Sequence, residues 1–249
     1  MKSLIILLAC SLFSPSIPGQ SNVPEPGSNL FVVAPSGLKL RMKPDQHSPS
    51  IRVLNYADVV TVVDNNGHQR PDRIQWTDGH WVKVRQGGVS GYVFDGFLSA
   101  LSPFTHENQL CISCTSIVEP LDMYLEALYP LDCIEESMDD TEELLRTVFY
   151  HNGDIQRIKT DGDGWYQMEY VFEGYRLSEI LNHARSVMVG KQDKSDFEQS
   201  LTFFENKRGK VNRVDSDFFA NPMSIEYLPD GIVILKTLVF DPSESLTGQ

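Results

Sequence analysis

The side chains able to do chemistry fall into a few groups. Cys111-Ile-Ser-Cys114 has dithiol spacing, and Cys133 adds a third sulfur. A redox CxxC opens a helix that follows a strand in a βαβ unit, and no such pattern surrounds Cys111. Three sulfurs with no fourth ligand nearby make a poor zinc site. The expectation is a structural disulfide from Cys133 to Cys111 or Cys114, leaving one thiol over. Asp161-Gly162-Asp163-Gly164 carries the acids of a calcium loop, but Trp165 occupies the third ligand position and no Glu closes the loop. It reads as a turn. Asp139, Asp140, Glu142 and Glu143 read as a solvated helix start, where acids favour the N-terminal dipole.

The segment Asp64 to Gly79 offers different chemistry. It gathers His68, Arg70, Arg73 and Trp76, with His80 just beyond. Arginine forks pair with carboxylates, and tryptophan supplies rigid contact area, so this cluster suits ligand contact. The alternative is that Trp76 folds back onto its own domain and the charges are merely solvated. No glycine-rich phosphate loop and no HExxH pattern is present, and no cofactor or metal is expected.

These residues must be positioned by a chain of 249 residues, 41% hydrophobic and 22% charged, which excludes wholesale disorder. The net charge of −13 excludes nucleic-acid binding through the bulk field, because phosphate neutralisation needs clustered cations. The charge is uneven. Residues 31–101 hold eight Lys or Arg against six Asp, whereas residues 102–249 hold twelve against 27 Asp or Glu. A shift this large beside Ser102-Pro103 marks an expected domain boundary at 102.

The first 19 residues read as a secretory signal: Lys2 supplies a charge, Leu4 to Phe13 an apolar core, and Pro15, Pro18 and Gly19 a break. Leu7-Leu8-Ala9-Cys10 resembles a lipobox, the alternative in which Cys10 carries a lipid and anchors the protein to a membrane. Residues 20–29 read as a flexible leader. The expected location is secreted or periplasmic, or lipoprotein-anchored through Cys10.

Residues 30–101 alternate in short runs: LFVVA (30–34), GLKLR (37–41), IRVL (51–54), VVTVV (59–63), HWVKVR (80–85) and SGYVF (90–94). Five or six strands with short connections imply a small all-β barrel. The ordered runs Ser36 to Pro44, I-R-V-L, V-V-T-V-V, W-V-K-V-R and Gly91 to Leu98 resemble a bacterial SH3 domain. Lys39 replaces that family's usual asparagine, Met42-Lys43 its usual small residues, and the 64–79 connection is longer than the family's. The resemblance implies a non-catalytic binding module, with peptidoglycan peptide or an envelope protein as ligand. It also implies a groove edged by loops and aromatics, for which Tyr56, Trp76, Tyr92 and Phe97 are candidates together with Arg70 and Arg73. Tyr92 and Phe97 have the alternative of belonging to the core.

The acidic half reads as α+β: an antiparallel sheet with one or two helices, of no recognised family. CISCTSIV (111–118) reads as a strand and residues 120–129 as a helix stopped by Pro130, so a Cys133 disulfide would tie that helix to the preceding strand. Four hairpin turns are expected, at Asn152-Gly153, Gly162 to Gly164, Lys207 to Gly209 and Asp230-Gly231, with a helix near 176–188 between them. Proteins resembling bacterial SH3 domains accompany cell-wall cysteine peptidases, so Cys133 with His151 or His183 is the alternative enzymatic reading, a hydrolase with its site in residues 102–249. Cys133 lacks the Ser-Gly continuation of those nucleophiles, and binding is the leading expectation.

Overall fold

The computed structural model describes residues 24–64, 71–103, 117–138, 144–150, 154–162, 164–186, 191–218 and 221–240. The signal segment, the start of the leader, Arg70, Cys111, Cys114, the four acids of 139–143 and His151 lie outside these residues.

The N-terminal part is built from β1 (Asn29–Val32), β2 (Leu38–Arg41), β3 (Ser50–Leu54), β4 (Val59–Asp64), β5 (Pro71–Ile74), β6 (Thr77–Gln86), β7 (Val89–Phe94) and β8 (Leu98–Ser99). A 3-10 turn, Asp95–Phe97, joins β7 to β8. The antiparallel order is β3-β2-β7-β6-β4-β1-β8, with β5 added to β6. Successive side chains of a strand point to opposite faces. Leu38 and Leu40, Val60 and Val62, and Val82 and Val84 therefore share one interior with Leu54, Val93 and Leu98. Full burial of each such side chain stabilises the barrel by roughly 1.5–3 kcal/mol before chain entropy is counted. Gly87 and Gly88, both at positive φ, make the two-residue turn from β6 into β7, a conformation matched to strand twist.

The C-terminal part contains α1 (Val118–Leu128), β9 (Leu131–Met138), β10 (Leu144–Tyr150), β11 (Ile155–Gly162), β12 (Trp165–Glu173), α2 (Leu177–Ser186), α3 (Lys191–Ser200), β13 (Leu201–Glu205), β14 (Val211–Ser216), β15 (Met223–Tyr227) and β16 (Ile232–Phe240). The strands form one antiparallel sheet ordered β13-β14-β15-β16-β12-β11-β10-β9. All four expected hairpins form. α1 ends because Tyr129, which precedes Pro130, adopts an extended conformation while its N–H still donates to Leu125 O. Leu121, Leu125, Ile180, Leu181 and Ala184 pack in one core with Tyr150, Tyr170, Ile225 and Leu235 of the sheet.

Several points differ from expectation. Among the described residues there are three α-helices rather than one or two: α3 escapes notice because Phe197 is the sole aromatic or branched apolar residue in Lys191–Ser200, yet it is fully buried against Phe218. β9 shows no alternation, since it is an edge strand with nearly every residue exposed. Cys133 sits on β9, just after α1. It is disulfide-bonded, and both expected partners lie outside the described residues. The expected 111–118 strand falls mostly outside them too, and Val118 is helical. The strand that follows residues 139–143 replaces a helix there.

Candidate functional site

The long 64–79 connection contains a ribbon. β5 pairs with the first half of β6 through Pro71↔His80, Asp72↔Gly79, Arg73↔Asp78 and Ile74↔Thr77. Gln75 and Trp76 form its tip, with Gln75 at φ 57. The ribbon is pinned at its base by the Trp81 indole, which donates to Asp72 Oδ2 at 2.9 Å. Trp81 itself is 2% exposed and packs beside Phe94.

At its tip the ribbon meets the C-terminal sheet. Trp76 stacks on Phe203 of β13 with centroids 5.3 Å apart, and the Arg185 guanidinium lies 4.4 Å from the indole centroid. Arg73 donates two parallel bonds to Asp78, at 2.7 and 3.0 Å. It also donates to Glu205 at 2.9 Å and to the carbonyl of Gly209 at 2.6 Å. These bonds, that to Asp78 first, strengthen the hold of the guanidinium on its proton. Trp76 thus packs on the other half of the chain, an arrangement unlike either sequence expectation.

A second layer of contacts lies beneath. Asp95 is fully buried, and its Oδ1 accepts from the His80 N–H at 2.7 Å. Gly79 permits that approach, because a Cβ there would stand 2.6 Å from the same oxygen. The Arg176 guanidinium, at the head of α2, lies 3.2 Å from Asp95 and donates to the carbonyls of Asp95 and Leu98 at 2.9 Å each. Glu179 accepts from the Arg176 N–H and, through its other oxygen, from the Ala100 N–H. The His183 Nε2 lies 3.2 Å from Ser99 Oγ, and burial pushes its pKa down to about 4.

Between ribbon and sheet is a cleft of about 170 Å³, lined by Trp76, Asp78, His80, Arg176, Lys210 and Tyr227 among others. Three buried polar atoms near it have no hydrogen-bond partner, Thr77 Oγ1, His80 Nδ1 and Asp95 Oδ2, while Arg176 Nη1 has only its ion pair with Asp95. His80 Nδ1 and Asp95 Oδ2 stand 3.7 Å apart, beyond hydrogen-bond reach. Buried polar atoms are nearly always paired, so three together are a concentration of unused donor and acceptor capacity.

Of the residues singled out by sequence, Trp76 and His80 line this cleft, and Arg73 lies on the same ribbon without lining it. Tyr56 and Tyr92 do not line it. Tyr92 lies on the outer face of β7, between buried Gly91 and Val93, and pairs across to Lys83 and Arg41. Phe97 packs against the barrel core. Asp78, Asp95, Arg176 and Lys210 were missed. An acid inside the apolar run Tyr92 to Phe97 was the one legible signal, since a charge buried there must find a partner. Cys133 and His183 form no catalytic pair: the sulfur is in a disulfide and the imidazole is buried at Ser99. Among the described residues no three His, Cys, Asp or Glu side chains group so as to hold a metal ion. No described helix is long and apolar enough to cross a membrane.

The strand order and core define the N-terminal part as a small SH3-like barrel with a ribbon inserted before its tryptophan strand. Residues 36–99, about a quarter of the chain, match the family described as the bacterial SH3 domain. The C-terminal half has no family match. No curated protein and no solved structure matches the chain.

Proposed function

We propose that this is a non-catalytic binding protein of the cell envelope, whose bacterial SH3 domain recognises a peptide, of peptidoglycan or of a protein partner, at the ribbon cleft. The observation carrying the reading is the set of buried polar atoms without a hydrogen-bond partner on Thr77, His80 and Asp95, close to Trp76. A peptide supplies alternating N–H donors and C=O acceptors, and its carboxylates suit Lys210. Family membership supports a cell-wall or envelope ligand. Arg70, Tyr56 and Tyr92 stay within the proposal on residue type alone.

The same proposal takes residues 30–101 and 102–249 as two units, and places the protein outside the cytoplasm by its first 19 residues, or on a membrane through Cys10. The alternative, a cell-wall hydrolase with its site in residues 102–249, gains no support from Cys133, which is held in a disulfide.

The experiment is cosedimentation of the full mature chain with purified peptidoglycan and with envelope extracts, using His80→Gln and Lys210→Gln. Both variants keep the ribbon contacts of Arg73 and Trp76. Weaker binding by both, one from each side of the cleft, is the expected result. Unchanged binding by both moves the site elsewhere on the barrel.

A further inference from the structure

The core-facing side of the C-terminal sheet carries three cations at one end. Directly paired residues run across the sheet as Val148, Arg157, Tyr170, Leu235 and Ile225. The neighbouring row runs Arg146, Lys159, Met168, Thr237 and Met223. Tyr170, Leu235, Ile225, Met168, Thr237 and Met223 are all buried, which identifies this face as the core face. Arg146, Arg157 and Lys159 therefore project from the same side as the core. Arg146 and Lys159 stand directly opposite each other on adjacent strands, a like-charge arrangement that costs stability. The cost is borne within the half of the chain where acids outnumber bases by more than two to one.

These three side chains, with Val118 and Asp122 of α1 and Tyr166 of β12, line a pocket of about 280 Å³. Asp122 pairs with Arg157 at 2.9 Å and is the one carboxylate in the lining. The other partners stand outside it: Glu126 at 3.2 Å from Arg157, Glu136 at 3.7 Å from Arg146, and Asp161 beside Lys159. Glu126 and Glu136 are 60% exposed, so their pairs are weak and readily exchanged.

We propose that this pocket binds a phosphate group. The lining holds three cations against one carboxylate, and a phosphate takes the place of Glu126, Glu136 and Asp161, which pair with those cations from outside it. Two arginine forks supply the parallel donors that phosphate oxygens accept, and Lys159 adds a point charge. Arg157 is already held by Asp122 below the Tyr150 ring, so little of its freedom is lost on binding. The site is separate from the ribbon cleft and does not depend on what that cleft binds.

The test titrates the full mature chain with inorganic phosphate, chloride being adjusted to hold ionic strength constant, and follows heat and thermal midpoint. Saturable binding at one site is expected. Arg146→Gln and Lys159→Gln each weaken it about tenfold, the loss expected for one charge-assisted hydrogen bond. Arg213→Gln, which removes a cation paired with Asp215 outside the pocket, leaves binding unchanged. Vesicles of phosphatidylglycerol and soluble glycerol phosphate then separate the sources. Vesicle binding that inorganic phosphate displaces assigns the group to a lipid headgroup, and tight glycerol phosphate binding without vesicle binding assigns it to a soluble phosphoester. The proposal is overturned by absent saturation, by equal loss in Arg213→Gln, or by vesicle binding that phosphate fails to displace.

Discussion

Asp95 in the last turn of the barrel and Arg176 at the head of α2 form a buried ion pair, 3.2 Å apart, across the contact between the two halves of the chain. Asp95 is fully buried and the Arg176 side chain is 16% exposed. Arg176 also caps the carbonyls of Asp95 and Leu98, so one guanidinium fixes the path by which the barrel hands over to the second sheet.

Removing one partner of such a pair leaves an uncompensated buried charge. Arg176→Ala is expected to lower stability by about 3–5 kcal/mol, and Asp95→Ala by a similar amount. Urea unfolding of the single and double variants checks this. The double variant should lose less than the sum of the singles, because the second removal no longer strands a charge.

Acid weakens the same contact through His183. Burial pushes its pKa from the ordinary 6.5 down to about 4. Between these values the unfolded chain binds the proton and the folded chain does not, so stability rises with pH across the window. The contribution is complete above about pH 6.5 and is lost on acidification toward pH 4, with an upper bound of roughly 3 kcal/mol. Urea midpoints for wild type and His183→Gln should diverge as the pH rises from 4 to 6.5. Parallel curves would contradict the assignment.

The sulfur chemistry is countable. Cys133 is disulfide-bonded, and we expect its partner to be Cys111 or Cys114. The loop closed is about 20 residues, worth about 3 kcal/mol by loop entropy. Thiol titration of the unfolded, unreduced mature protein should find one free thiol, and three would contradict the bond.

Trp76 bridges the halves by stacking on Phe203 and lying beneath Arg185. Trp76→Ala should cost about 2 kcal/mol, summing an aromatic pair and a cation–π contact. Trp76→Phe should recover much of this, because a ring still stacks. Equal losses in the two variants would mean that the ring face carries none of the energy.

What sequence showed and what it hid follow the range of the interactions. Leu38 with Leu40 and Val82 with Val84 betray the barrel because period-two burial is written within each strand. The same holds for the stripe Leu177, Ile180, Leu181 and Ala184 on α2. The four hairpins were legible because their turns need glycine or its relatives locally. α3 and β9 were not, since one buried Phe197 makes no pattern and an edge strand needs no alternation. At the site, the residue types of Arg73 and Trp76 were visible, but Glu205 and Gly209 lie more than 130 residues from Arg73. No local rule joins positions so far apart. Asp95 and Arg176 were missed for the same reason, being 81 residues apart.

The proposed ligand, a peptide, enters the cleft beside Trp76, between ribbon and sheet. The most direct test is a fluorescence titration of the full mature chain with soluble peptidoglycan fragments, run in parallel on wild type and Trp76→Phe. A saturable emission change is expected in wild type and is expected to disappear in Trp76→Phe while binding measured by calorimetry persists. Calorimetric binding with the same emission change in both proteins, or with none in wild type, would contradict this placement.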